Sequence, residues 1–134
     1  MATNCKQLNL GNKTEEYIGK FFRNNGYWVY ITPKKINGQP IDIIAVKENN
    51  TWLVDAKHLR KEDKSFPFSR IEANQIYAME YARKFANIKN IGFCICSEIC
   101  PEKVFYLSYD KLVELEEKGR KSAKLEELEE LKCI

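Results

Sequence analysis

The chain has 134 residues, 44% of them hydrophobic and 12% aromatic, which suits one domain with a real core and excludes a disordered tail or a disulfide mini-protein. No apolar run approaches the roughly 18 residues needed to cross a bilayer, and residues 1–10 carry no signal-peptide pattern, so a soluble cytoplasmic protein is expected. The net charge of +3 is uneven: residues 1–74 hold 12 Lys/Arg against 8 Asp/Glu, while residues 75–134 hold 10 against 11.

If the acids of the first half gather in one site, the rest of that half turns a basic surface toward phosphates. Ordinary solvated lysines would give the same count. The five cysteines (Cys5, Cys94, Cys96, Cys100, Cys133) are an odd number and read as reduced thiols. The spacing of Cys94, Cys96 and Cys100 is not that of a zinc site, and the single histidine, His58, lies far from them.

Asn12 and Glu15 have capping-box spacing, and Tyr17, Ile18, Phe21 and Phe22 follow as an apolar stripe, so a first helix is expected from Asn12 to the stop at Gly26. Residues 27–32 are aromatic and β-branched and predict a strand, and 33–40 form a basic loop with Lys34 and Lys35. Two strand-like runs, 41–47 and 51–57, flank Glu48, Asn49 and Asn50 as a hairpin. The charged stretch 58–68 reads as a mobile loop.

Ser69 and Glu72 give a second capping-box spacing, opening a helix through Ala86 on Ile71, Ile76, Met79, Tyr81, Ala82 and Phe85. Strands are expected at 91–97 and 104–108, then helices at 110–118 and 122–132 with Gly119 between them. The order predicts one α/β domain over 1–134, a mixed sheet flanked by helices. The C-terminal helices within 109–134 would present Leu125, Leu128 and Leu131 as an interface.

With Asn49 and Asn50 at the centre of the turn, cross-strand partners sum to 99, so Asp42 faces Lys57 and Ile44 faces Asp55. Opposed residues share a face and diagonal neighbours lie about 7–8 Å apart, so Asp42, Asp55 and Lys57 project together. A hard divalent cation takes such carboxylate oxygens, and a cation beside an ammonium can neutralise a scissile phosphate and activate water. A surface ion pair of Asp with Lys would explain the same spacing. However, these acids interrupt the apolar runs Ile41-Ile43-Ile44 and Trp52-Leu53-Val54, where an unpartnered charge is costly.

Pro40-Ile41-Asp42 followed by Asp55-Ala56-Lys57 resembles the PD-(D/E)XK nuclease superfamily. Within it, Gly11-x-x-x-Glu15, the hairpin acids, Ser65-Phe66-Pro67, Ile71 and Asn74-Gln75 are similar to RecU-type Holliday junction resolvases, over roughly residues 9–85. The resemblance implies a restriction-endonuclease-like fold and a homodimer that cuts branched DNA. It also implies Mg²⁺, or Mn²⁺ as substitute, held by Glu15, Asp42, Asp55 and the Ala56 carbonyl, with Lys57 and Gln75 completing the catalytic set.

Two features depart from the RecU-type pattern. The third acid is Asp55 where those enzymes usually have Glu, and residues 27–42 are too few for the long stalk of larger members, which suits a compact, phage-borne or archaeal-like enzyme working in the host cytoplasm. Glu15 could instead complete the capping box with Asn12. Lys13, Lys34, Lys35, Arg60 and Lys61 flank the site as candidate phosphate contacts, and Phe66 as a stacking residue. His58 should face away from Lys57 on an alternating strand. A restriction or repair nickase, or a non-catalytic DNA-binding module, would share the same fold.

Overall fold

The computed structural model describes residues 2–34 and 39–134, with side chains from residue 13 onward. Its first element is a helix, α1 (Ala2–Asn24), which ends where Gly26 takes φ 88° and where the Asn25 side-chain amide donates to the Phe21 carbonyl. Strands β1 (Trp28–Ile31), β2 (Ile43–Lys47) and β3 (Asn50–Leu59) follow as an antiparallel meander. β4 (Ser65–Pro67) precedes helix α2 (Ala73–Phe85), and β5 (Asn90–Ser97) then returns parallel to β3. β6 (Cys100–Ser108), helix α3 (Tyr109–Glu117), β7 (Ser122–Lys124) and β8 (Glu129–Leu131) complete the chain.

Six strands make one mixed sheet in the order β1-β2-β3-β5-β6-β8, and β4 pairs with β7 in a separate ribbon. Both sheet faces are covered, so β5 reads as a continuous apolar run, buried from Ile91 to Ser97. On one face, Ile18 and Phe22 of α1 pack in a core with Ile43, Ala45, Trp52, Val54 and Tyr106. On the other, Met79 of α2 and Leu112 and Leu115 of α3 share a core with Leu59, Phe93, Ile95 and Phe66. This is the α/β domain with a mixed sheet between helices that the element order predicts, and the restriction-endonuclease-like fold that the resemblance implies.

Several local expectations are corrected. α1 begins about ten residues before Asn12, so Asn12 and Glu15 lie inside the helix and not at its start, where a capping box would sit. The segment expected as a loop at 58–68 instead extends β3 to Leu59 and contributes β4, with Phe66 fully buried. The N-cap of α2 is Glu72 rather than Ser69: the Gln75 side-chain carbonyl accepts the Glu72 N–H at 3.1 Å.

The hairpin turn also moves by one residue. Lys47 pairs with Asn50 and Ile43 with Val54, so partners sum to 97 and Glu48-Asn49 is the turn, with Glu48 at φ 54°. Asn50 is held in the strand end because its amide donates to the Tyr27 hydroxyl at 2.7 Å and accepts from Asn90 at 2.6 Å. A change of two in the sum preserves the parity of faces, so Asp42, Asp55 and Lys57 still share one side.

Residues 122–132 are not a helix. The sheet's outer strand β6 takes β8 as its neighbour, with Val104 opposite Leu131, while Ala123 and Leu128 enter the other core. Arg120 pins the intervening turn through a two-pronged contact with Glu127, at 2.6 and 2.8 Å.

Gly92 is the tightest point of the sheet: a Cβ there would lie 2.2 Å from the Leu107 carbonyl oxygen and 2.8 Å from the Ser108 Cα, both backbone atoms. Gly92→Ala is expected to force β5 from β6 and cost about 3 kcal/mol of stability, read as a lower denaturant midpoint. An unchanged midpoint would contradict the close approach.

Candidate active site

β3 outruns β2. The β2 ladder ends at Ile43, and Asp42 continues it only by donating its N–H to the Val54 carbonyl at 3.1 Å. Beyond that point Asp55, Ala56 and Lys57 are paired on one side alone, to Phe93, Cys94 and Ile95 of β5. Thr32 ties off the far side, its hydroxyl donating to the Ile41 carbonyl at 2.7 Å and its N–H to the Asp42 carbonyl at 2.9 Å. The result is a notch in the sheet.

Asp42 turns into that notch. Its Oδ2 accepts the Ala56 N–H at 2.9 Å and its Oδ1 accepts the Gln39 amide at 3.0 Å. In an extended strand the N–H and C=O of one residue point the same way, so the Ala56 carbonyl also faces the notch. Asp55 lies beside Asp42 and is 2% exposed. Its Oδ1 accepts the Gln75 amide at 2.7 Å, and its Oδ2 has the Lys57 ammonium at 3.1 Å but no hydrogen bond.

Gln75 is therefore fixed at both ends, its carbonyl by Glu72 N–H and its amide by Asp55. The first turn of α2 is what aims it. Lys57 is held in turn by the Arg70 carbonyl at 3.4 Å, and the Arg70 guanidinium reaches back to the His58 carbonyl at 2.9 Å.

Glu15 approaches from α1, on the opposite sheet face to Asp55 and Lys57. It is 4% exposed; Lys34 closes on its Oε2 at 2.6 Å, while Oε1 has no hydrogen-bond partner. Burial raises the Glu15 pKa, and the Asp42 charge adds to this against the pull of Lys34. Burial, followed by the adjoining Asp42 carboxylate, pushes Asp55 up to about 8, with Lys57 acting the other way.

Among the described residues no three His, Cys, Asp or Glu side chains are already drawn together as a metal-ligand set. The reason is visible in the partners: Lys34 and Gln39 occupy oxygens of Glu15 and Asp42, and the acids come from two sheet faces. The two buried oxygens left without a hydrogen-bond partner here, on Glu15 and Asp55, are of the hard, oxygen-only kind that Mg²⁺ prefers.

The structure brings Asp42, Asp55, Ala56, Lys57 and Gln75 to one notch, while Glu15 is buried on the other sheet face, near enough to Asp42 to sense its charge. Phe66 is a different matter: fully buried with its ring centroid 6.0 Å from that of Phe93, it is a core residue and cannot stack on a base. Lys34 pairs with Glu15 instead of standing free, and Lys35 lies outside the described residues. Arg60 and Lys61 are exposed just past β3, and Lys13 is exposed beside a cavity of about 200 Å³ with Tyr17, His58 and Cys96. His58 faces α1 as expected, 3.5 Å from the Thr14 hydroxyl and 2.8 Å from Glu98.

Two residues at the site escape the sequence pattern. Arg70 reaches it through a turn of 3₁₀ helix, with no spacing signal. Gln39 stands three residues before Asp42, next to Pro40, and only the folded loop shows their bond.

A mixed sheet between helices, with an Asp and an Asp-x-Lys at the end of a hairpin, defines a nuclease-type α/β core. Comparison with protein families matches residues 34–134 to RecU, recombination protein U, and the chain belongs to that family. Comparison with curated proteins gives no match. The matched span contains Asp42, Asp55, Lys57 and Gln75, whereas Lys13 and Glu15 precede it. Membership carries a recombination function of the junction-resolvase type. No helix among the described residues is long and apolar enough to cross a membrane.

The raised Asp55 pKa sets a pH dependence. The folded chain binds the proton more tightly than the unfolded chain, whose Asp titrates near 3.8. From about pH 4 to about pH 8, the native state therefore holds the extra proton, and stability falls as pH rises. Glu15 contributes in the same direction. In EDTA, Asp55→Asn is expected to flatten this slope, measured as unfolding midpoint against pH; a wild-type midpoint that rises across the interval would contradict the assignment.

Proposed function

We propose that the chain is a Mg²⁺-dependent DNA endonuclease, with Mn²⁺ as substitute, that resolves four-way junctions as a homodimer. The observation that carries this reading is the notch beside β3, where the buried Asp42 and Asp55 meet Lys57 in apolar surroundings and the buried Glu15 senses the Asp42 charge from the other sheet face. Three buried acids kept in such a place cost stability unless a cation is to be bound.

Glu15, Asp42, Asp55 and the Ala56 carbonyl would hold the ion. When bound, Mg²⁺ supplies positive charge to the scissile phosphate and acidifies water. The chain's own residues do the rest. Lys57, anchored by the Arg70 carbonyl and Asp55, directs its ammonium toward a phosphate oxygen or an attacking water. Gln75 keeps Asp55 in its rotamer from α2.

Lys34 pairs with Glu15 here; with an ion held by Glu15 it would be available to meet the DNA backbone together with Lys13, Lys35, Arg60 and Lys61. Such contacts position a duplex without reading its sequence. Junction selectivity then belongs to the relative placement of two sites, which is the reason for invoking a dimer.

The test is cleavage of a labelled immobile four-way junction and a matched linear duplex, in Mg²⁺, Mn²⁺ or EDTA. Wild type is expected to cut the junction at paired positions with metal only. Asp42→Ala and Asp55→Ala should each lose at least about 10²-fold in rate, and Lys57→Ala about 10²-fold. Equal cutting of both DNAs would keep the site and reassign the substrate to a nickase or restriction type. Binding in EDTA without cutting in any metal would make the chain a DNA-binding module.

A further inference from the structure

Beyond Asp42, the open edge of β3 has a second partner, and the metal-binding reading makes no use of its charge. In a strand, the N–H and C=O of one residue point to the same side and those of the next residue to the other. The Val54 carbonyl accepts the Asp42 N–H, and the Leu59 carbonyl accepts the Glu98 N–H past the end of β5. Ala56 and His58 therefore turn their backbone groups toward the side that β2 vacates. Asp42 takes the Ala56 N–H at 2.9 Å, and two residues further along Arg70 Nη1 donates to the His58 carbonyl at 2.9 Å. Arg70 stands in for the missing strand.

Its guanidinium carbon also lies 5.7 Å from the centre of the fully buried Phe66 ring, within reach of a cation–π contact. Both partners are neutral. The other arginines held by guanidinium hydrogen bonds, Arg83 and Arg120, have carboxylate partners in Asp110 and Glu127. Arg70 is exposed, and among the described residues no carboxylate pairs with it. A guanidinium carries five N–H donors in a rigid fork, and one of these meets His58. The side chain is fixed while its charge is unbalanced.

That combination suits an anion. A free surface arginine loses rotamer freedom when it grips a ligand, whereas Arg70 has given up much of that freedom on folding. Its place is also defined relative to Lys57, whose ammonium donates to the Arg70 carbonyl at 3.4 Å. Residues two apart along a strand are separated by about 7 Å, so the fork on His58 sits about one nucleotide of DNA backbone beyond the Ala56 carbonyl. Arg60 and Lys61, exposed just past the end of the same strand, add positive charge there, as a repeating anion requires.

We propose that Arg70 anchors a DNA backbone phosphate next to the one that is cut. This rests on the endonuclease reading and deepens it by adding a substrate contact. The guanidinium fork matches two phosphate oxygens with parallel hydrogen bonds. An arginine that merely capped an unpaired strand would make the same bond to His58 and give its charge no task.

A salt series separates charge from capping. Binding of a labelled four-way junction is measured in EDTA, where neither metal nor cutting takes part. Each neutralised phosphate adds about 0.9 to the slope of log K against log salt. Arg70→Gln is expected to lower that slope by about 0.9 and to bind about tenfold more weakly at about 50 mM salt. Arg70→Lys, which keeps the charge, should restore the wild-type slope. Circular dichroism of each variant should match wild type; Arg70→Met, which keeps a side chain on the Phe66 ring without the charge, serves if the Gln variant does not fold.

An unchanged slope in the uncharged variant makes Arg70 a strand cap only and overturns the proposal. A slope lowered as far in Arg70→Lys as in Arg70→Gln also overturns it, because the change then follows the strand end and not the charge. Wild type that binds neither junction nor duplex at any salt defeats the endonuclease reading and this inference with it. Wild type that binds, with variants of unaltered slope, defeats this inference alone.

Discussion

Asp55 is a carboxylate placed in the middle of an apolar sheet, between Leu53 and Leu59 of the same face, and its burial sets what its neighbours must do. In isolation such a group would take up a proton or pull the strand apart. Here it has a ring of partners instead: Gln75 gives one hydrogen bond, Lys57 a nearby charge, and Asp42 a like charge that keeps its affinity for protons high. Each partner demands a structure behind it. Gln75 needs the first turn of α2, Asp42 needs the end of β2, and Lys57 needs the one-sided overhang of β3.

The overhang is thus more than an accident of strand length. A fully paired β3 would hold the Ala56 N–H and carbonyl in a ladder; leaving the strand open on one side lets the N–H go to Asp42 and turns the carbonyl toward the acids. The parallel neighbour β5 keeps the exposed segment straight, and its burial on both faces explains why eight consecutive residues can be so short of polar groups. Gly92 lets β6 come near enough to close that side.

Much of this was legible from local pattern. The alternation of Ile43, Ala45, Trp52 and Val54 with Asp42, Asp55 and Lys57 assigns faces by parity, and parity survives a turn that slides by one residue along both strands. Position within the turn did not follow from the Asn pair, because Asn50 is claimed by Tyr27 and Asn90 across the sheet. The C-terminal segment failed for a similar reason. Leu125, Leu128 and Leu131 have helical spacing and good helix formers around them, but β6 offers an unpaired edge, and tertiary pairing outweighs an intrinsic preference worth tenths of a kcal/mol per residue. Phe66 misled because a three-residue strand is too short to show alternation, so a core ring looked like an exposed one.

What local pattern cannot hold is the pairing of Lys34 with Glu15, nineteen positions apart, where a residue just past β1 meets one in the middle of α1. That contact alters how the site is to be understood. A buried glutamate close to Asp42 is unfavourable to ionise, and Lys34 provides the compensating cation from an exposed stem. Gln39 does the neutral equivalent for Asp42. The acids are therefore not a bare cluster held open against repulsion. Their charge is balanced by side chains from the β1–β2 connection, so the fold tolerates the site in the absence of an ion, and any cation that binds must compete with Lys34 for Glu15. On the proposed metal-dependent reading, a site guarded in this way would favour a doubly charged ion over a singly charged one, since only the former offsets what Lys34 already contributes.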